Sequence, residues 1–145
     1  MTRREIRTAH ERWLGYLRVL EARDAKTTRD RLRELAHDVI RPVRLWTARN
    51  PNTPPDALTI LSTDPDETVG WNVLLNRSTP LEGLQAMADA ETASAPADWF
   101  IVRHKVAHHP NTSAELRSQL LAVGVCRPPS TQSCSHEQMY WNSRR

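Results

Sequence analysis

The sequence predicts an all-α protein, folded as a superhelical solenoid of about four short helical repeats. First, similar residues recur along the chain at a spacing of 26 residues, which is typical of stacked repeats. Second, apolar residues within each repeat recur at helical spacing, as on the buried face of a helix. Third, apolar and polar residues do not alternate over any useful length, so no strand is predicted.

The repeat starts at four equivalent positions, Leu17, Val43, Val69 and Val102. These starts are separated by 26, 26 and 33 residues, so the third repeat contains an insertion of seven residues near 91–99. Because one repeat cannot bury its own apolar stripe, stacked repeats must share a core. We expect a helical repeat domain over residues 1–124, with a cap helix at 3–16 and repeats at 17–42, 43–68, 69–101 and 102–122, followed by a flexible C-terminal tail at 125–145.

Three columns of equivalent residues predict where the helices end and begin. A polar column ends a short helix, a threonine column follows three positions later, and an acidic column follows after three more. Threonine and acid at this spacing form a capping box, in which the hydroxyl accepts a backbone N–H. We therefore expect threonine N-caps with Pro54 and Pro80 at the first helical position, and Asp64 as the cap of the next short helix. The columns are Asp24, Asn50, Asn76 and His109 (polar), Thr27, Thr53, Thr79 and Thr112 (threonine), and Asp30, Asp56, Glu82 and Glu115 (acidic).

The segment RLWTARNPNTPPDALTILSTDPDETV resembles the leucine-rich repeat variant family. Across residues 17–122, this resemblance implies a right-handed superhelix of alternating α and 3₁₀ helices, similar to armadillo and HEAT solenoids. The best-known member of the family also carries an iron–sulfur module held by clustered cysteines. Since no cysteine precedes Cys126, we expect no cofactor here. The positions that match the family pattern are Val43, Arg44, Ala48, Asn50, Pro51, Thr53, Pro54, Asp56, Leu58, Leu61, Asp64 and Pro65.

Basic residues are concentrated near the amino terminus. Residues 1–49 contain 13 basic and 7 acidic residues, a net charge of +6, whereas residues 50–145 contain 7 and 10, a net charge of −3. All but two of the 20 basic residues are arginine, which forms forked contacts with carboxylates and phosphates. The basic half is therefore a candidate surface for an acidic partner or for nucleic acid. The nucleic-acid hypothesis fails if Asp30, Glu34 and Asp38 neutralise these arginines.

Arginine also recurs at the second position of the repeats. This arginine column, interrupted by Gly70, is either a binding strip or a structural ladder in which Asp38 and Asp64 pair with neighbouring arginines. We favour the ladder, because the family pattern includes both the arginine and the aspartate. Among five tryptophans, we expect Trp13 and Trp46 in the core. The candidate binding residues are Arg18, Arg44 and Arg103 of the column, Arg23 and Arg49 beside it, and the tryptophans Trp71 and Trp99.

Histidines and cysteines near the carboxyl end are weak candidates for a metal site. His104 and His108 stand four residues apart on a predicted helix, so both imidazoles could face one ion. No third ligand lies nearby at a motif spacing, and we predict no metal site. Cys126 and Cys134, with His136, belong to the predicted tail and are expected to be two reduced thiols.

The sequence contains no catalytic triad, glycine-rich phosphate loop or paired catalytic carboxylates, so we expect no enzymatic activity. We predict a cytoplasmic scaffold for protein–protein interaction, because the amino terminus has no secretory signal and no apolar run reaches the ~18 residues of a membrane span. The alternative is nucleic-acid binding through the basic half. Self-association through the open ends of the solenoid is a third hypothesis, and the partner and oligomeric state stay open.

Overall fold

A computed structural model describes residues 1–126 of the chain. These residues form eight α-helices and no strand, which confirms the predicted all-α class. No helix in this range is both long enough and apolar enough to cross a lipid bilayer. The helices are α1 (Arg3–Arg23), α2 (Arg29–Leu35), α3 (Arg41–Arg49), α4 (Pro55–Leu61), α5 (Glu67–Leu75), α6 (Leu81–Ser94), α7 (Ile101–Ala107) and α8 (Ala114–Ala122).

The helices form two rows that share a core. In one row α1 packs on α3, α3 on α5 and α5 on α7; in the other α2 packs on α4 and α4 on α6. The apolar stripes of both rows face each other, as the repeat pattern predicts. The main core cluster includes Leu58, Leu61, Val69, Val73, Leu84 and Val106, and a smaller cluster at the amino end contains Ala22, Leu32, Leu35 and Val43.

Three features of the helices differ from the sequence-based expectation. The predicted cap helix at 3–16 continues without a break to Arg23, because no proline interrupts the segment before the turn at Asp24. The shorter helices within residues 1–126 are α-helical, where the resemblance implies 3₁₀ helices. The insertion extends α6 to 14 residues, twice the length of α2 and α4.

The threonine column does not form the predicted capping boxes. Each threonine hydroxyl instead donates backwards to a backbone carbonyl six residues earlier, at the end of the preceding helix; Thr79 donates to the carbonyl oxygen of Val73 at 2.6 Å. The reason is register, because each column threonine lies one residue before the N-cap position. The actual N-caps are Thr28, Pro54, Pro80 and Ser113, and Asp66, not Asp64, caps α5. The four backward bonds run from Thr27 to Glu21, Thr53 to Thr47, Thr79 to Val73 and Thr112 to Val106.

The polar column links each repeat to the one before it. The Asn50 side-chain amide donates to the carbonyls of Ala22 and Asp24, at 2.8 and 2.9 Å. The Asn76 amide repeats this one step further, to Ala48 at 2.8 Å and Asn50 at 3.0 Å. These bonds satisfy carbonyls at helix ends that no intrahelical N–H can reach. We call this series of bonds the amide ladder.

The fourth member of the polar column is a histidine in the same role. His109 Nε2 lies 2.9 Å from the Asn76 carbonyl, while Nδ1 accepts the backbone N–H of Asn111 at 3.1 Å. This network assigns the proton to Nε2 of a neutral ring. Complete burial of the ring lowers the pKa of His109 below the usual histidine value. The predicted cap role falls instead on His108, the C-cap of α7, while His109 lies one residue further along and bonds between repeats.

The first member of the column shows why the residue type differs between repeats. Asp24 accepts the backbone N–H of Lys26 at 2.8 Å, as Asn50 and Asn76 do for the residues two positions after them. At Asp24 an acceptor is sufficient, because residues 1–126 contain no repeat before α1 whose carbonyls would need a donor there. The later positions also need a donor, which aspartate lacks when ionised and which asparagine or a neutral histidine provides.

We predict that Asn76→Ala lowers the free energy of unfolding by about 1–3 kcal/mol, since the change leaves buried carbonyls without a donor. Asn76→Asp is expected to be worse, because a carboxylate would face the carbonyls of Ala48 and Asn50. Urea unfolding followed by circular dichroism measures both effects. His109→Asn is the control and should retain most of the stability, since asparagine supplies both donor and acceptor. Equal stability of Asn76→Ala and wild type would contradict the role of the ladder.

Candidate functional site

Two members of the arginine column form forked ion pairs between helix and turn. Arg18 Nε lies 2.6 Å from Asp38 Oδ2, and Arg18 Nη2 lies 3.3 Å from Asp38 Oδ1. Arg44 repeats the arrangement on Asp64, at 2.7 and 3.3 Å, and also donates to the Asp38 carbonyl at 2.9 Å. The partners are 20 residues apart in both repeats. These are the pairs that the structural-ladder hypothesis requires.

The environment of Asp38 combines opposing effects on its pKa. Partial burial by itself raises the pKa, but the Arg18 guanidinium and the backbone N–H of Ile40 favour the ionised carboxylate. The net result is a pKa below the usual aspartate value. A carboxylate that is only 9% exposed therefore stays charged because its partners are fixed by the fold.

Both halves of this pair are absent from the third repeat. Gly70 takes the place of Arg18 and Arg44, and Ala90, 20 residues later, takes the place of the aspartate. A Cβ atom on Gly70 would lie 3.5 Å from the Met87 methyl carbon, an ordinary contact, so the backbone there accepts a side chain. The missing side chains leave open space on this part of the surface.

A groove of about 450 Å³ occupies this place. Gly70 and Trp71 of α5 form one side, Ala90 of α6 lies opposite, and the insertion contributes Trp99 at the mouth. Trp71 is half-buried, whereas Trp99 is 53% exposed. The structure thus brings two of the sequence-predicted binding residues, Trp71 and Trp99, to one groove. The remaining lining residues are Ser62, Asp64, Glu67, Leu74, Met87, Glu91, Ser94, Ala95, Ile101 and Val102.

Among residues 1–126, the lining of the groove contains acidic side chains and no lysine or arginine. Asp64 is paired with Arg44, and Glu91 is paired with Arg103. Glu67, in the first turn of α5, is exposed and has no basic side chain within 4.0 Å among residues 1–126. The groove therefore presents apolar surface with one negative charge that no ion pair neutralises.

Glu91 holds the insertion against α7. Its carboxylate accepts the backbone N–H groups of Val102 and Arg103 at 2.8 and 2.7 Å and pairs with the Arg103 guanidinium at 3.1 Å. Arg103 also donates to the Trp99 carbonyl at 2.8 Å. Sequence analysis marks Arg103 but misses Glu91, because this acid lies 12 residues before its arginine, whereas the other two pairs have the acid 20 residues after the arginine.

Three acidic residues of the amino-terminal half pair with three of its arginines. Asp38 pairs with Arg18, Glu34 lies 2.6 Å from Arg31, and Asp30 lies 2.5 Å from Arg33. The three acids named by the nucleic-acid hypothesis are thus paired, whereas Arg23, Arg29 and Arg49 have no carboxylate within 4.0 Å among residues 1–126, so the condition for its failure is met only in part. Nucleic-acid binding is not the function that this arrangement supports best.

Arg23 and Arg49 have a different environment. Their guanidinium carbons lie 4.5 and 5.0 Å from the centre of the Trp46 ring, so both cations pack on one indole. Trp46 is half-buried beside the smaller core cluster. The expectation that Trp13 lies in the core is wrong: it is 57% exposed, because within the long polar helix α1 the buried residues are Gly15 and Ala22.

The reason for predicting no metal site does not hold. Ligand atoms of His104, His108 and Cys126 all lie within 4.8 Å of one another, so the fold supplies the third ligand that sequence spacing does not. Val125, the first residue of the predicted tail, is buried and Cys126 is half-buried. Cys134 and His136 lie outside the described residues.

We predict that Asp38→Asn destabilises the protein by about 1–3 kcal/mol at neutral pH, because Arg18 loses its charged partner. Since folding lowers the pKa of Asp38, the unfolded chain binds more protons as the pH falls below about 3.8, and wild-type stability decreases there. The variant lacks this contribution, so its stability should decrease less steeply with acid. Urea unfolding between pH 7 and pH 3 measures the slope. Asp98→Asn, at an exposed position, is the control; equal slopes for Asp38→Asn and wild type would contradict the prediction.

One repeat of the chain matches a known family model. Residues 41–66, from the start of α3 to the N-cap of α5, match the model described as leucine rich repeat variant. No curated protein and no solved structure shows a significant match to the chain. The match confirms the resemblance seen in the sequence: this segment is similar to a leucine rich repeat variant repeat, and within residues 1–126 it lies among helices only.

Proposed function

We propose that the chain is a non-enzymatic, cytoplasmic scaffold for protein–protein interaction, with about four repeats in a right-handed superhelix. Its partner binds in the groove beside Gly70, between α5, α6 and the insertion. The match to a helical-repeat family supports the scaffold, because stacked repeats present extended surfaces on which partners dock. The location of the groove, where one repeat departs from the others, supports the site.

One observation carries the proposal: the groove opens where the repeat lacks its own ion pair. In the preceding repeats, the arginine stem and its carboxylate partner cover the surface at this position. Gly70 and Ala90 remove both, which leaves Trp71 and Met87 along an uncovered groove. A partner side chain can take the place that the repeat's own arginine fills elsewhere.

The chemistry of the groove favours a partner segment with arginine beside apolar residues. A guanidinium group can pack on Trp99 while pairing with the Glu67 carboxylate, whereas the Lys105 ammonium of the chain itself already lies 5.6 Å from the centre of the Trp71 ring. The acidic lining disfavours an acidic segment by like-charge repulsion. An exposed tryptophan at the mouth is also typical of residues that dominate interface energies.

Gly70→Arg tests the proposal by filling the groove with the residue that the other repeats carry. A tagged pull-down with mass spectrometry supplies candidate partners, and their affinities are then measured with purified proteins by isothermal titration calorimetry. We expect at least about tenfold weaker binding, which corresponds to ~1.4 kcal/mol, at an unchanged melting temperature. Ser118→Arg adds the same charge to an exposed position on α8 and is the control. Partners that bind Gly70→Arg as tightly as wild type would contradict the site.

Glu67→Lys tests the charge of the proposed partner. Reversing this charge should weaken binding of a basic segment, and the loss should diminish at high salt, which screens exposed charges. Glu82→Lys is the matched control, since Glu82 also lies exposed in the first turn of its helix but does not line the groove. Tighter binding by Glu67→Lys would show that the partner segment is acidic.

A further inference from the structure

We propose that His104, His108 and Cys126 bind one zinc ion. His104 lies within α7, His108 is the C-cap of that helix, and the cysteine follows α8, so the site joins the last two helices of the described chain. Their candidate ligand atoms lie within 4.8 Å of one another. The site is separate from the groove, whose lining contains none of the three residues.

The histidine pair has the geometry of two ligands on one helix face. Residues four apart in a helix lie one above the other, and the rings of His104 and His108 have their centroids 4.7 Å apart, at 66°. In a tetrahedral zinc site, Zn–N distances of ~2.0–2.1 Å and Zn–S of ~2.3 Å place the ligand atoms roughly 3.3–3.6 Å apart. Small rotations of the side chains therefore bring the three ligand atoms from their present separations to those of a bound ion.

The turn after α8 determines the position of Cys126. Gly124 has a φ of 84°, its N–H donates to Leu121, and the Val125 N–H donates to Leu120 at 3.3 Å. This pair of bonds is the Schellman motif, which requires the left-handed conformation that glycine adopts at low cost. Val125 is then buried, only 5% exposed, which holds the next residue against α7. Cys126 is thus positioned by a defined helix end.

The ligand types favour zinc over magnesium or calcium. Imidazole nitrogen and thiolate sulfur are ligands of zinc, whereas magnesium and calcium prefer oxygen ligands. Three protein ligands leave one position for water or another donor. His109, the next residue, has both ring nitrogens occupied in the amide ladder and is not part of the set. All three ligands are half-buried, which leaves a path for the ion.

Zinc at this site would stabilise the carboxyl end of the solenoid. α8 is the last described helix, and it exposes Leu121 and Val123. A bond from the ion to Cys126 would connect the segment after α8 to α7, so that the last repeat is held by a metal in addition to its packing.

Cobalt titration of the reduced full-length chain tests the proposal. We expect saturation at one equivalent, a thiolate-to-cobalt charge-transfer band, intense visible bands of tetrahedral coordination, and displacement by zinc. Cys126→Ser should abolish the charge-transfer band, and His104→Gln should weaken binding at least about tenfold. His37→Gln is the control, because His37 is exposed and lies in the turn after α2. A charge-transfer band that persists in Cys126→Ser, or cobalt that binds only with weak octahedral bands, overturns the proposal.

Thermal unfolding gives a second readout that does not depend on cobalt. Zinc should raise the melting temperature of the wild-type protein, a chelator should reverse the increase, and His104→Gln should lack it while retaining the helical circular dichroism spectrum. His108→Gln is a second variant, for use if His104→Gln does not fold. An equal zinc-dependent shift in a folded ligand variant and in wild type overturns the site.

Discussion

The fold depends on one constraint: carbonyls at the ends of short helices are buried between repeats and need a donor from the next repeat. Asn50, Asn76 and His109 supply it, each from the same position of its repeat. Packing alone would allow neighbouring helices to slide, because apolar contacts have no direction. A hydrogen bond to a particular carbonyl sets the register, so the amide ladder determines how each repeat sits on the one before it.

After the amide ladder, the second set of repeated contacts is formed by the arginine column and its aspartate partners. Its interruption at Gly70 creates the candidate site. Arg18 of α1 contacts Asp38 in the turn before α3, and Arg44 of α3 contacts Asp64 in the turn before α5, so both arginines fill the surface between helix and turn. Where Gly70 and Ala90 replace the pair, the same architecture leaves a groove. The scaffold and its binding groove therefore follow from one pattern, maintained in two repeats and absent from the third.

Part of the site could be predicted from the sequence. The column spacing indicates Gly70 as an interruption, and the composition indicates Trp71 and Trp99 as contact residues. Ala90 can be recognised as the position of a missing aspartate only when the partner of each arginine is known to lie 20 residues later. Glu91 lies outside that spacing because it precedes its arginine by 12 residues instead of following it by 20. Gly124 is the signal for the position of Cys126, since a glycine after an apolar helix predicts a reversing turn.

The sequence by itself determined the helical class and the columns of equivalent residues, because periodicity depends only on local geometry and on which faces must be buried. It also determined that a given column is polar. Only the tertiary structure decided what each polar residue bonds to: the threonines donate backwards instead of capping forwards, and the asparagines reach across repeats. Residue type determines whether a side chain can donate or accept, but its partner is set by atoms that folding brings close, six residues away for the threonines and 20 or more for the arginines and asparagines.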